Sequence, residues 1–223
     1  MVDEADQPFI FLRRGILFII SAPSGAGKTT LSRQVLKLVP DLRLSISYTT
    51  RAPRAGEVDG REYHFVSEDH FLHLRAASAF AEWAKVHGFL YGTARAPLAE
   101  ALHHGHDLLL DIDVQGARQI KASYVEAVSI FVLPPSWQAL ESRLRRRATE
   151  EEEVIGRRLQ RAREEAHELF SYDYWLVNDK VERAVGVLQG IIMAERVRVS
   201  RLIRAHTTTV LFASPTVQGR KTV

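Results

Sequence analysis

The eight residues Ala22-Pro23-Ser24-Gly25-Ala26-Gly27-Lys28-Thr29 constrain this chain more than any other stretch. The apolar run 15–21 before them reads as a buried strand, and Lys28–Leu38 after them carries apolar residues at helical spacing. A glycine-rich turn between a strand and a helix is the setting of a phosphate-binding P-loop. Gly25 and Gly27 let backbone N–H groups turn inward around phosphate oxygens, and the helix N-terminus adds its partial positive charge. Lys28 can reach the β- and γ-phosphates of a nucleoside triphosphate, and the Thr29 hydroxyl can ligate Mg²⁺. Pro23, Ser24, Ala26 and Thr30 complete the loop and the first helical turn. Where the general pattern has glycine this chain has Ala22, which tightens the approach to a ligand and removes no donor.

The rest of the chain alternates in the same style. Strands are expected at 42–47, 107–112, 127–133 and 175–177. Helices are expected at 97–104, from Ser136 through Leu140 and Leu144, at 149–169 from a Thr149/Glu152 capping box, and at 181–204. Alternation of this kind predicts an α/β fold, a P-loop parallel sheet core with helices on both faces. Two stretches interrupt it. Residues 48–93 open with a Pro/Gly-punctuated loop at 49–60 and continue β-rich, with strands at 62–66, 80–86 and 89–91, a short helix from Glu68 and a turn at His87-Gly88. Residues 136–170 form a helical excursion.

Composition excludes several function classes. The 223 residues include no cysteine, which removes a disulfide framework, a thiol nucleophile and a cysteine zinc site together. No apolar run reaches the roughly 18–20 residues of a membrane helix, and the opening MVDEADQP is acidic, unlike a signal peptide. A soluble, cytoplasmic protein without a membrane partner is expected. The net charge is +3, yet arginines cluster at 143, 145, 146, 147, 157, 158, 161 and 163. Most are expected to form a solvated face interleaved with Glu150 to Glu153 and Glu164/Glu165. His103, His104 and His106 crowd one helix end without a second ligating element, so no metal site is expected there. Trp83, Trp137 and Trp175 lie among apolar residues and are expected to pack. Asp111 and Asp113 end a buried strand, where open α/β sheets hold ligands.

A long ordered series of segments resembles the guanylate kinase family of P-loop nucleoside monophosphate kinases. It comprises the P-loop, Ser47-Tyr-Thr-Thr-Arg51-Ala-Pro-Arg54-Ala-Gly-Glu57, Gly60-Arg-Glu-Tyr63, Glu82-Trp83, Tyr91-Gly92-Thr93, Leu110-Asp111-Ile112-Asp113, Pro134-Pro-Ser136 and Val177-Asn178-Asp179. The resemblance runs over about residues 15–204. It implies transfer of the γ-phosphoryl group of ATP to GMP or dGMP, with Mg²⁺ as cofactor and no nucleic-acid partner. It divides the chain into an N-terminal extension at 1–14, a core at 15–47, 94–135 and 171–205, a GMP-binding insertion at 48–93, a lid at 136–170 and a tail at 206–223.

By the same resemblance, residues 22–30 and Asn178 serve ATP. Arg51, Arg54, Tyr63 and Tyr91 grip the acceptor phosphate, a set of forks and hydroxyls suited to a dianion. Ser47, Glu82 and Thr93 read guanine, because a carboxylate accepts from the N1–H and exocyclic amine that adenine does not present together. Glu57, Gly92 and Asp111 complete the GMP site, Thr29 and, through water, Asp113 hold the metal, and Lys28, Arg51, Arg143, Arg147 and Arg158 supply catalytic charge. The family's lid glycines are Arg146 and Ala148 here. Other readings stay open on sequence alone: a P-loop kinase acting on a ribosyl bisphosphate, a noncatalytic scaffold of the same fold, or a nucleic-acid binder drawn by the arginine clusters.

Overall fold

The computed structural model describes residues 13–86, 88–147 and 152–202. Five parallel strands form the main sheet: β1 (Leu17–Ser21), β2 (Leu42–Leu44), β7 (Asp107–Asp111), β8 (Val128–Leu133) and β9 (Tyr174–Val177), in the order β2-β7-β1-β8-β9. β1 is central, every one of its residues buried, which is why its sequence reads as an uninterrupted apolar run and not as an alternation. Phe18 and Ile20 face a layer made by Leu31 and Val35 of α1 (Lys28–Leu38) and Ala184, Val185, Leu188 and Ile192 of α7 (Val181–Arg196). Leu17 and Ile19 face the opposite layer, with Leu98 of α3 (Arg95–His103) and Ala117 and Ile120 of α4 (Val114–Ser123).

A second sheet stands beside the first, in the order β4-β3-β6-β5, from β3 (Tyr48–Thr49), β4 (His64–Phe65), β5 (Phe80–Val86) and β6 (Phe89–Ala94). Its small core is Phe71 of α2 (Glu68–Ala76), Phe80 and Leu90, with Phe71 stacked on Phe80 at 4.5 Å between ring centroids. The remaining excursion holds α5 (Trp137–Arg147), opened by Ser136 Oγ accepting from Ala139 N, and α6 (Glu152–Ala166), joined through Leu140, Leu144 and Ala162.

The structure departs from expectation in several places. The closing helix stops at Arg196, not near 204: the chain turns so that Arg201, in a short 3-10 turn (Val199–Arg201), bonds back to the buried Glu195 carboxylate. Helix α4 was not legible, its apolar stripe being only Val114, Ala117 and Ile120 around Gly116. Thr49, read as the start of a loop, belongs with Tyr48 to a two-residue strand. Trp175 is 61% exposed and Trp137 39%, so neither is core packing; β9 is the outer strand of its sheet and turns Trp175 to solvent. Trp83 does pack against the Phe71 cluster. The Thr149 cap, the residues before 13 and those after 202 lie outside the described residues, as does His87 of the expected turn.

Candidate active site at the carboxyl end of the parallel sheet

The P-loop spans the step from β1 to α1 with Gly25 and Gly27 at positive φ. At Gly27 (φ 96°) a Cβ would also lie 2.3 Å from Asn178 Nδ2. Asn178 is buried beneath the loop and donates to the Ala26 carbonyl at 2.7 Å, so it props the loop's backbone from below. Lys28 Nζ is shared between the Asp111 carboxylate at 2.7 Å and the Ile112 carbonyl at 2.8 Å, both at the end of β7. Ser32, one turn further along α1, bonds the other Asp111 oxygen at 3.2 Å. Ser32 carries no motif; its only sequence signal is a polar residue on the buried stripe of α1.

The arginines of the helical excursion separate into two sets. Arg145, Arg157 and Arg161 pair with Glu141, Glu153 and Glu165 one helical turn away, the solvated face expected from the sequence. Arg143 and Arg158 instead reach the phosphate loop. Arg143 donates to the Ala26 carbonyl at 3.2 Å and the Asn178 carbonyl at 2.9 Å, and Arg158 Nη2 donates to Ser24 Oγ at 2.8 Å. Arg147 is the last residue of α5, and its side chain, like that of Arg146 and all of Ala148, lies outside the described part.

The second sheet brings three sequence-distant residues into one line. Thr93 on β6 faces Glu82 on the neighbouring β5, and its hydroxyl bonds Glu82 Oε1 at 2.5 Å and Ser47 Oγ at 3.1 Å. Glu82 is only 3% exposed, and burial pushes its carboxyl up to about 7. Nearby, Arg51 Nη2 donates to both Glu57 oxygens, at 2.9 and 3.0 Å, and the guanidinium lies 5.6 Å over the Tyr63 ring, which meets Tyr91 edge-on at 5.8 Å. Burial, with the Asp111 and Tyr91 charges, pushes the Tyr63 hydroxyl up to about 12. Arg54 contributes its backbone N–H to Glu57 and leaves its side chain exposed, and Gly92 is hemmed in by Phe71 and Phe80. Asp113 accepts from Gly116 N at 2.9 Å as the cap of α4, with Gln115 on its other oxygen.

Two adjoining cavities connect these groups. One, of about 210 Å³, is lined by Lys28 and Thr29 of the phosphate loop together with Glu82, Asp111 and Asp113. The second, about 320 Å³, holds Arg51, Arg54 and Glu57 and shares Thr29, Ser47, Tyr63, Tyr91 and Asp111 with the first. A larger cavity of about 470 Å³ around Lys121, Asp173 and Arg201 contains none of these residues.

A P-loop at the carboxyl end of a five-stranded parallel sheet, facing a separate arginine- and tyrosine-lined cavity, defines a phosphotransferase core that meets two anionic ligands. Comparison with known proteins is more specific. Residues 14–195 match the family model for guanylate kinase, and the chain belongs to that family. It is 57% identical over 190 residues to the guanylate kinase of Syntrophotalea carbinolica, covering 85% of this chain and 90% of that protein. The guanylate kinase of Geobacter metallireducens is 50% identical over 195 residues, 87% of this chain and 96% of that protein. The crystal structure of guanylate kinase from Anaplasma phagocytophilum superposes with a TM-score of 0.77 at 30% identity, covering 92% and 99% of the two chains.

Proposed function

We propose that this protein transfers the γ-phosphoryl group of ATP to GMP or dGMP, giving ADP and the guanosine diphosphate. The observation that carries the reading is the cavity shared by Lys28 and Thr29 of the phosphate loop and by the buried carboxylate Glu82. Its base-reading end needs a partner with two adjacent donors, and guanine supplies N1–H and the exocyclic amine. Arg51, Arg54, Tyr63 and Tyr91 in the adjoining cavity suit the acceptor's phosphate.

Phosphoryl transfer of this kind needs positioning and charge stabilisation more than a protein nucleophile. The acceptor phosphate oxygen is itself the attacking group. Lys28 lies ready at the donor end and exchanges Asp111 for phosphate oxygens when ATP binds, while Arg143 and Arg158, already on the phosphate loop, add charge from α5 and α6. Arg147, on the same helix as Arg143, is assigned to this set as well. Asn178 acts by holding the loop's shape. We assign residues 48–93 to acceptor binding and 136–170 to a lid.

The donor set fits a hard cation. Thr29 offers a hydroxyl to the cavity, and Asp111 and Asp113 present carboxylates to the same space. Thr29 would hold Mg²⁺ directly and Asp113 through water, and the ion would neutralise charge on the β- and γ-phosphates. Among the described residues no helix is long and apolar enough to cross a membrane. We place the protein in the cytoplasm, with its nucleotide substrates.

The test is ADP formation measured with ATP and, in turn, GMP, dGMP, AMP and UMP, with and without excess EDTA. Turnover confined to GMP and dGMP and abolished by EDTA is expected. Equal turnover with AMP refutes the base assignment, and full turnover in EDTA refutes the metal assignment.

A further inference from the structure

The residue that reads the base lies on the outermost strand of its sheet. Strand β5 pairs with β6 along one edge, and Trp83 turns its backbone N–H and C=O to the other. At Trp83 that edge is met by a side chain from the parallel-sheet core. Gln119 of α4 accepts from Trp83 N through Oε1 at 3.2 Å and donates to the Trp83 carbonyl through Nε2 at 2.8 Å. The amide stands in for a missing neighbouring strand at one position, and that position adjoins Glu82.

Two further contacts fix the same point. The Trp83 side chain, on the face of β5 opposite Glu82, packs with the Phe71 cluster and lies 4.8 Å under the Arg75 guanidinium. In the first turn of α4, Gly116 lies so close to Glu82 that a Cβ there would stand 2.4 Å from Oε2 and 3.0 Å from Cδ. Glu82 is thus confined on one side by Thr93 and on the other by a helix surface that has no room for a methyl group. The helix that confines it is capped by Asp113, which lies on the wall of the shared cavity.

We infer that helix α4, acting through Gln119 and Gly116, is the positioning element for the Glu82 carboxylate, so that guanine selectivity is set partly from the core and not only within the inserted sheet. Gln119 is a positioning residue: it touches neither the base nor the phosphates but holds the backbone on which the base reader is mounted. The inference rests on the proposed role of Glu82.

The experiment compares Gln119→Met, which keeps length and removes both hydrogen bonds, Gln119→Glu, which keeps only the acceptor, Glu82→Gln, and the double variant Gln119→Met/Glu82→Gln. KM and kcat are measured for GMP and for IMP, which lacks the exocyclic amine, along with KM for ATP and the Tm of each protein. Gln119→Met is expected to raise KM for GMP by about tenfold, to narrow the GMP preference over IMP by a similar factor, and to leave kcat and KM for ATP within about threefold. Gln119→Glu, which turns a carboxylate oxygen toward the Trp83 carbonyl, should shift the GMP preference at least as far, which keeps the question answerable if the methionine variant folds poorly. Because Gln119 acts through Glu82, its substitution should change GMP preference no further once Glu82 is already Gln. A loss that adds in full in the double variant, or one that strikes ATP and GMP alike with a lowered Tm, overturns the positioning role. If Glu82→Gln itself leaves the GMP preference intact, the base assignment fails. If Glu82→Gln abolishes it while both Gln119 variants match the parent, the inference about α4 fails alone.

Discussion

Lowering the pH should weaken GMP binding through Glu82, and the size of the effect follows from its burial. Its carboxyl titrates near 7, well above the ordinary carboxylate range, because the folded protein has removed it from water. Only the carboxylate can accept from both guanine donors. With a pKa of about 7 the ionised fraction climbs from roughly one-eleventh at pH 6 to ten-elevenths at pH 8, so KM for GMP should fall about tenfold over that interval. GMP's own phosphate titrates near pH 6. Glu82→Gln isolates the two: it should lower kcat/KM for GMP by about a hundredfold or more and retain only the phosphate's share of the pH dependence. The same burial shapes stability. The folded pKa lies above the unfolded value, so the contribution of Glu82 is fully present below about pH 4.5 and is lost as pH rises through 7, amounting to about 3 kcal/mol. Glu82→Gln should therefore be more stable than the parent at pH 8, with the gap closing toward pH 5. KM is read from a coupled ADP assay at constant ionic strength and stability from urea unfolding at each pH. Identical KM profiles in parent and variant, or stability curves that run parallel from pH 5 to 8, would refute a carboxylate made costly by burial.

Lys28→Ala should lower GMP-dependent turnover by at least about a hundredfold with the protein still folded by circular dichroism; near-normal turnover removes the assigned role of the phosphate loop. Arg158→Ala and Arg147→Ala should each cut kcat by about a hundredfold with little change in KM for GMP, the signature of charge supplied in the transition state, and values within threefold of the parent would make them surface arginines. Asp107 is 1% exposed, receives a fork from Arg13 and a bond from Arg196, and accepts from Ile16 N. Asp107→Ala leaves those cations facing an empty acceptor and should cost about 3 kcal/mol or more in urea unfolding; a loss below about 1 kcal/mol would show that the arginines simply turn to water.

Elements whose periodicity and punctuation agree were legible residue by residue. Lys28–Leu38 and Phe80–Val86 have the bounds read from the sequence, one following a glycine turn and the other leading to one. Helix α4 was hidden because its first turn carries a glycine, which lowers helix propensity, and only contact with Glu82 explains that glycine. The site was legible as residue types and not as distances. Ser47, Glu82 and Thr93 are far apart in the chain and meet because β3 and β5 flank the same β6. Charge and spacing alone do not tell Arg158, on the phosphate loop, from Arg157, on a neighbouring glutamate; only the family resemblance singled out Arg158. Asp113 was read as an acid at a strand end; that one of its oxygens caps a helix depends on a turn no motif announced.

Gly27 has an evolutionary consequence. Two barriers guard it: a backbone angle that side-chain-bearing residues rarely adopt, and an Asn178 amide standing where a methyl would go. Shrinking Asn178 would clear the space and leave the strained angle, and changing the angle would turn the loop's N–H groups away from the phosphate site. An alanine at this position therefore meets backbone strain even where the Asn178 amide gives way. A lineage that loses this glycine is expected to regain it or to lose the loop's shape more readily than to settle on a residue with a side chain.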